Sequence, residues 1–78
     1  MERTEILSKV QDIFRDVLDD EDIVLEDNTT AEDIEDWDSL SHIQLIKEIE
    51  KLFSIRFTSR EILSWNNVGE MIDCIASK

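Results

Sequence analysis

Apolar residues recur over the first quarter of the chain with the spacing of one helix face. They fall at offsets of 0, 1, 4, 7, 8, 11 and 12 from residue 6, which follow the 3.6-residue period of an α-helix. These residues are Ile6, Leu7, Val10, Ile13, Phe14, Val17 and Leu18. The pattern predicts a first amphipathic helix over about residues 4–18, with the Thr4 hydroxyl as its N-cap.

A second helical pattern begins at Ser39 or shortly after it and runs to about residue 53. Its apolar stripe consists of Leu40, Ile43, Ile46, Ile49 and Phe53, widened by Leu45 and Leu52. Residues 55–57 then alternate apolar and charged side chains, which predicts a brief extended link. Thr58 and Ser59 are suited to cap a short helix that continues through Leu63 or Trp65.

The last predicted helix opens at Asn67. Glu70 follows three residues later, so the pair resembles a capping box in which asparagine replaces serine or threonine. Its apolar stripe is Val68, Met71, Ile72 and Ile75. Three principal helices and one short helix, without a strand or an internal repeat, predict an all-α four-helix bundle with a long loop between helices one and two. At 78 residues we expect a single domain over residues 1–78.

The long loop, residues 19–38, carries most of the negative charge. It holds eleven acidic residues and no Lys or Arg, in a chain whose net charge is −12. Connections longer than about 12–15 residues are commonly functional or flexible. We expect its apolar residues to pack back over the helices; they are Ile23, Val24, Leu25, Ile34 and Trp37. The acidic side chains either stay simply solvated or steer basic partners, and both interpretations remain open.

Charge and composition exclude several classes of function. A net charge of −12 opposes binding to the phosphate backbone of nucleic acids. An EF-hand calcium loop needs glycine at its sixth position, and the only glycine is Gly69. The single cysteine, Cys74, cannot form an intrachain disulfide, and we expect it to pack in the core or at its boundary. No apolar run approaches the roughly 20 residues of a transmembrane helix and no signal peptide is evident, so we expect a cytoplasmic monomer.

Residues 37–46, Trp-Asp-Ser-Leu-Ser-His-Ile-Gln-Leu-Ile, resemble the corresponding segment of acyl carrier proteins and related peptidyl carriers. The resemblance also covers the long loop, residues 50–53, the 55–57 link and residues 67–73. It implies that Ser39 receives 4′-phosphopantetheine from coenzyme A, and that the thiol of this arm holds an acyl or aminoacyl group as a thioester. A protein of this family is a carrier and not an enzyme.

The resemblance also implies roles for the neighbours of Ser39. Asp38 would be recognised by the phosphopantetheinyl transferase, and Leu40 would contact either the arm or the core. Contacts with a loading ligase and downstream transferases are expected at Trp37, His42, Ile43 and Lys47. Ile43 has the same core alternative as Leu40, and we expect His42 to face solvent. Trp65 either covers an acyl-binding cavity or belongs to the ordinary core.

The sequence departs from the family pattern at two places. Asp36 stands where a glycine is common before the Asp-Ser-Leu triplet. The second helix of carriers in primary fatty acid synthesis is richly acidic, whereas several of those places are filled here by Ser41, Gln44, Lys47 and Lys51. Basic patches on fatty-acid enzymes would be repelled by the lysines, so we expect different partners. Trp37 before the triplet is similar to stand-alone carriers of specialised acyl or aminoacyl pathways.

Ser39 has three alternative interpretations. Serine is a favoured N-cap, and capping alone would explain its position without any covalent chemistry. An interaction module that keeps the fold without the arm is a second possibility. A hydrolase built from Ser39 and His42 is not favoured, because hydrolytic sites assemble nucleophile and base from separate elements around an oxyanion hole.

Overall fold

Residues 2–78 are described by a computed structural model and form four helices. They are α1 (Arg3–Val17), α2 (Ser39–Phe53), α3 (Ser59–Ser64) and α4 (Val68–Ala76). The all-α fold with three main helices, one short helix and a long first connection is therefore confirmed. Within these residues no helix has the length and apolar character required to span a bilayer.

The core lies where α1 packs on both α2 and α4. Its most buried side chains are Ile6, Val10, Phe14, Leu45, Ile49, Val68, Met71 and Ile72. Each of the three long helices contributes residues spaced by one helical turn, such as the pair Val10 and Phe14. Burial of this apolar surface is the main contribution to the stability of so small a bundle.

The buried face of α2 differs from the predicted stripe. Leu45 is fully buried beside Ile49, whereas Leu40 is 69% and Ile43 55% exposed. The core alternative for Leu40 and Ile43 is therefore wrong. The helix is rotated so that residues 45, 46 and 49 face the core, and the apolar side chains of its first turn remain at the surface near Ser39.

The first helix begins without a side-chain cap. Glu2 occupies the N-cap position, and no side-chain hydrogen bond caps the helix there. The prediction that Thr4 is the N-cap is wrong because Thr4 already lies inside the helix. At the short helix α3 the prediction is confirmed, since the Thr58 hydroxyl accepts from the Glu61 amide and the Glu61 carboxylate accepts from the Thr58 amide.

Only one of the two hydrogen bonds predicted for the capping box at the start of α4 is present. The Asn67 side-chain oxygen accepts a hydrogen bond from the Glu70 amide at 2.9 Å. The Glu70 carboxylate, however, accepts from the amide of Asn66 and not from that of Asn67. The second hydrogen bond of the predicted capping box, which the Glu70 carboxylate accepts, thus comes from the residue before the N-cap.

The long connection packs back over the bundle. Ile23 and Leu25 are buried, and Ile34 and Trp37 pack in part against the core. The prediction is wrong for Val24, which is 66% exposed. In this extended stretch successive side chains point in opposite directions, so the residue between two buried ones faces solvent.

Two backbone hydrogen bonds fasten the connection to the start of α4. The amides of Val68 and Gly69 donate to the carbonyl oxygens of Thr29 and Asp27, each at 2.8 Å. The first amides of a helix have no partner inside it, so the connection satisfies groups that would otherwise need water or a cap. A Cβ on Gly69 would lie 2.8 Å from the Asp27 carbonyl oxygen, which explains why glycine occupies this position.

Candidate functional site

The first turn of α2 is held by a reciprocal pair of hydrogen bonds between Asp38 and Ser41. The Asp38 carboxylate accepts from the Ser41 amide at 2.9 Å, and the Ser41 hydroxyl accepts from the Asp38 amide at 2.8 Å. The first of these bonds holds the pKa of Asp38 below its usual range. Neither bond uses the hydroxyl of Ser39. The capping interpretation of Ser39 is therefore wrong, because Asp38 is the N-cap.

Ser39 is the first residue of α2, and its side chain is exposed. The amides of a first helical turn and the positive end of the helix dipole favour a negatively charged group at this position. The exposed Leu40 side chain lies next to it and gives the surface an apolar neighbour. An oxygen here is accessible to another enzyme and suited to carry a phosphodiester.

Ser39 lies at the edge of a cleft of about 470 Å³ between the start of α2 and the segment that contains α3 and the start of α4. Its lining residues are Ala31, Trp37, Asp38, Ser39, His42, Ile43, Ile62, Trp65, Asn66, Asn67 and Met71. Most of these side chains are apolar or aromatic, which is typical of sites for small organic groups. The cleft could therefore receive part of a flexible arm attached at its edge.

Two tryptophans, Trp37 and Trp65, form part of the cleft wall. The Trp37 ring meets Phe14 edge to face at 4.8 Å between centroids, and Trp65 meets Phe57 in the same way at 4.9 Å. Both rings thus pack against the core and are partly exposed to the cleft. Trp65 packs on the core, as one of its two predicted roles requires, and it also lines the cleft.

His42 lies between these tryptophans, one turn after Ser39. Its ring centroid is 5.8 Å from Trp37 and 6.4 Å from Trp65. The expectation that it faces solvent is only partly met, because the imidazole is partly buried and its Nδ1 atom accepts from the Trp37 indole N–H at 3.0 Å. Since the indole occupies this acceptor nitrogen, Nδ1 cannot serve as a base toward the Ser39 hydroxyl, which removes the basis for a hydrolase dyad.

The bond from Trp37 makes the site sensitive to acid. Burial lowers the pKa of His42 below its ordinary value of about 6.5. A histidine with a lowered pKa stabilises the fold while neutral, so this contribution is present above about pH 6.5 and is lost as pH falls through the pKa of the folded protein. Protonation of Nδ1 would also break the bond from Trp37.

We expect the Trp37 indole N–H signal to leave its hydrogen-bonded position as His42 titrates, at a pH below 6.5. An NMR titration down to about pH 5, where carboxylates remain largely ionised, measures both events. The chain has one histidine, so its resonance is unambiguous. His42→Gln should remove this pH dependence, because a side-chain amide does not titrate. A His42 midpoint at or above 6.5 would contradict the prediction.

Cys74 is placed at the core boundary, as predicted. It is partly buried, and its thiol donates to Glu61 at 3.3 Å. Burial raises the pKa of the Cys74 thiol, which keeps it protonated and unreactive near neutral pH. The Thr58 amide, together with Lys78 and the thiol, lowers the pKa of Glu61 to about 2. Within residues 2–78 no group of three or more His, Cys, Asp or Glu side chains is arranged to hold a metal ion.

The remaining predicted residues lie along the outer side of α2. Ile43 contacts the cleft and is also exposed, while Lys47 and Lys51 are exposed further along the helix. Lys47 and Lys51 line a shallow groove with Arg56 at the helix end. The surface near Ser39 thus carries the apolar side chains of Leu40 and Ile43. The surface farther along α2 carries charges of both signs, because Glu48 is exposed beside Lys47 and Glu50 lines the same groove.

Sequence reasoning identified the α2 side of this site and, on the side of α3 and α4, only Trp65. Ile62, Asn66 and Met71 line the cleft but were not predicted to do so. The Trp37–His42 hydrogen bond was also missed. A tryptophan five residues before a histidine could have suggested it, although only the loop geometry brings the two rings together.

Comparison with known proteins gives three findings. The model of a family described as phosphopantetheine attachment site matches residues 8–75. An acyl carrier protein of Rubrobacter xylanophilus is 37% identical over 76 residues, covering 96% of this chain and 93% of the relative. The solution NMR structure of the holo acyl carrier protein of Geobacter metallireducens matches with a TM-score of 0.88 and 42% identity, over 94% of this chain and 84% of that one.

Proposed function

The chain belongs to the acyl carrier protein family, and from this premise we propose that Ser39 is the residue to which its 4′-phosphopantetheine arm is attached. Proteins of this family are carriers and not catalysts, and they hold the arm covalently. The observation that carries the proposal is the exposed Ser39 hydroxyl at the first position of α2, left unused by the Asp38–Ser41 hydrogen bonds. We treat residues 1–78 as one carrier domain.

The surroundings of Ser39 fit a 4′-phosphopantetheine arm. The first-turn amides of α2 favour the negative charge of a phosphodiester on the Ser39 oxygen. The Asp38 carboxylate already has a donor in the Ser41 amide, so it supports the helix start while remaining at the surface for a transferase to recognise. When attached, the arm supplies a thiol that can hold an acyl or aminoacyl group as a thioester. The chain itself provides the anchoring oxygen and the cleft beside it.

Labelling of the wild-type chain tests this assignment. We expect incubation with coenzyme A and a broad-specificity phosphopantetheinyl transferase to add the mass of one arm to the intact protein. Peptide mapping should place the added mass on Ser39. Modification of another residue, or no mass gain under conditions that modify a control carrier, would contradict the proposal, and the second result would favour an interaction module without the arm.

We further propose that this carrier serves a specialised acyl or aminoacyl pathway and not bulk fatty acid synthesis. Its partners would be a loading ligase and downstream transferases in the cytoplasm. Support comes from the outer side of α2, where Leu40 and Ile43 leave an apolar surface near Ser39 and Lys47 and Lys51 are exposed. Enzymes that approach with basic patches would meet like charge at these lysines. Trp37, His42, Ile43 and Lys47 are the proposed contact positions.

Charge reversal on α2 should change the choice of partner. We expect Lys47→Glu to raise kcat/KM with fatty-acid synthesis enzymes by about 2- to 10-fold, since repulsion becomes attraction at one exposed position. Transfer kinetics with the holo-protein measure this effect. Lys9→Glu is the matched control, because Lys9 is exposed on α1 and its reversal changes the net charge equally. An equal gain with both variants, or no gain with Lys47→Glu, would argue against the proposed docking face.

A further inference from the structure

The hydrogen bond from Trp37 determines which ring nitrogen of His42 carries the proton. The Trp37 indole nitrogen can only donate, so Nδ1 of His42 must be the unprotonated nitrogen of a neutral ring. The proton of that ring therefore lies on Nε2, and the hydrogen bond to Trp37 also fixes the ring orientation. His42 thus presents an N–H donor of defined tautomer and position.

This donor is available to a molecule in the cleft. His42 lines the cleft, and its ring stands between two tryptophans that line it as well. Within residues 2–78, no buried side-chain nitrogen or oxygen lacks a hydrogen-bond partner. Because the bond to Trp37 uses Nδ1, the Nε2–H group must be reached by solvent, on a residue that lines the cleft.

The position of this donor relative to Ser39 determines what can reach it. His42 follows Ser39 by three residues and so lies on the same side of α2, about one turn away. An arm anchored at Ser39 that folds into the cleft can reach the imidazole, because both residues line it. The cleft walls are largely aromatic and aliphatic, so the few polar residues that line it, among them His42, Asn66 and Asn67, determine how an occupant is oriented.

We propose that His42 is a positioning residue whose Nε2–H donates to a carbonyl oxygen of the folded-back arm or its cargo. The inference rests on the proposed attachment at Ser39. The amide groups of the pantetheine arm and the carbonyl of a thioester both offer this acceptor, and each is neutral. The contact would hold the loaded arm in the cleft between visits to enzymes, because an apolar wall alone does not fix the orientation of the arm.

NMR of the single histidine tests the proposal on three forms of the protein: without the arm, with the arm, and with a butyryl thioester on the arm. Intact mass first establishes loading. We expect the Nε2–H signal to shift and its exchange with water to slow by about 2- to 10-fold, the equilibrium factor of one neutral hydrogen bond. A change that is complete with the unloaded arm identifies an amide acceptor, and a change that appears only with butyryl identifies the thioester carbonyl.

Variants provide a second readout. Hydroxylamine should cleave the butyryl thioester about 2- to 10-fold faster in His42→Phe, which keeps a ring but loses the donor. His42→Gln should restore protection, because its amide can accept from Trp37 and donate to the arm. Melting temperatures of the arm-free proteins report any structural loss separately.

Three results would overturn these ideas. Loading without any change at Nε2–H overturns the role of His42 and leaves attachment at Ser39 intact. Equal cleavage rates in wild type and His42→Phe have the same consequence. Failure to load Ser39 at all overturns both proposals, and intact mass distinguishes it from the other outcomes.

Discussion

Ser39→Ala is expected to abolish covalent loading and to leave the fold unchanged. We do not expect the Ser41 hydroxyl to replace the missing oxygen, because it accepts from the Asp38 amide and donates to the carbonyl oxygens of Asp36 and Asp38. Alanine is a strong helix former, and Ser39 does not cap the helix, so we expect the free energy of unfolding to change by less than about 0.5 kcal/mol. Intact mass after treatment with transferase and coenzyme A measures loading, and urea denaturation measures stability.

Two other serines provide matched controls. Ser59 is also exposed at the first position of a helix that follows a capping box, so Ser59→Ala should still take up one arm. Ser41→Ala should remain loadable but lose about 1 kcal/mol of stability, because it removes one half of the capping pair. Residual loading of Ser39→Ala, or loss of loading in Ser59→Ala, would be incompatible with Ser39 as the single attachment point.

Gly69→Ala is expected to destabilise the protein by about 1–3 kcal/mol. The added Cβ would lie 2.8 Å from the Asp27 carbonyl oxygen and 3.1 Å from the Asp27 Cβ, so the connection would have to move away from α4. That movement would stretch the backbone hydrogen bonds from Gly69 and Val68 to the connection. For a domain of this size, the loss is a large fraction of a total of only a few kcal/mol.

The sign of this change distinguishes the close contact from ordinary helix propensity. Replacing glycine by alanine inside an exposed helix normally stabilises by up to about 1 kcal/mol. Urea denaturation of wild type and Gly69→Ala gives the sign directly, and Ser8→Ala, on the exposed side of α1, gives the response of a helix position without such a contact. An unchanged or increased stability of Gly69→Ala would show that the connection yields freely at this point.

The close contact between Gly69 and Asp27 also affects the candidate site. The connection fastened to α4 at Asp27 and Thr29 continues to Trp37, which packs on Phe14 and bonds to His42. Displacement of the connection near residues 27–29 would loosen the Trp37 ring, which fixes the tautomer of His42. We therefore view the long connection as the support of the cleft wall and not only as an acidic link between helices.

Periodicity was a reliable guide to where helices lie and a poor guide to which side of α2 is buried. The predicted second helix, from Ser39 to about residue 53, agrees with Ser39–Phe53. Leu40 and Ile43, however, are exposed where the pattern suggested a core position. The stripe of α2 was broad enough to allow more than one rotation, and contact with α1 selected the one that buries Leu45 and Ile49.

Local hydrogen bonding was predicted well where residues three apart supply both partners. Thr58 and Glu61 cap α3 in this way. The interpretation of Ser39 as the N-cap of α2 is wrong because Asp38 directly precedes it and pairs with Ser41. The helix position of His42 predicts a solvent-facing side chain, because it gives no indication of the Trp37 ring, which the loop supplies.

The sequence by itself determined the helical elements, the all-α class, the resemblance to carriers and the choice of Ser39 as the candidate attachment residue. These properties depend on spacing within short segments, where backbone geometry relates neighbouring residues directly. The tertiary structure alone decided the rotation of α2, the fastening of the connection at Gly69, the far side of the cleft and the tautomer of His42. Each of these depends on groups distant in sequence, whose separation is set by packing of the whole chain.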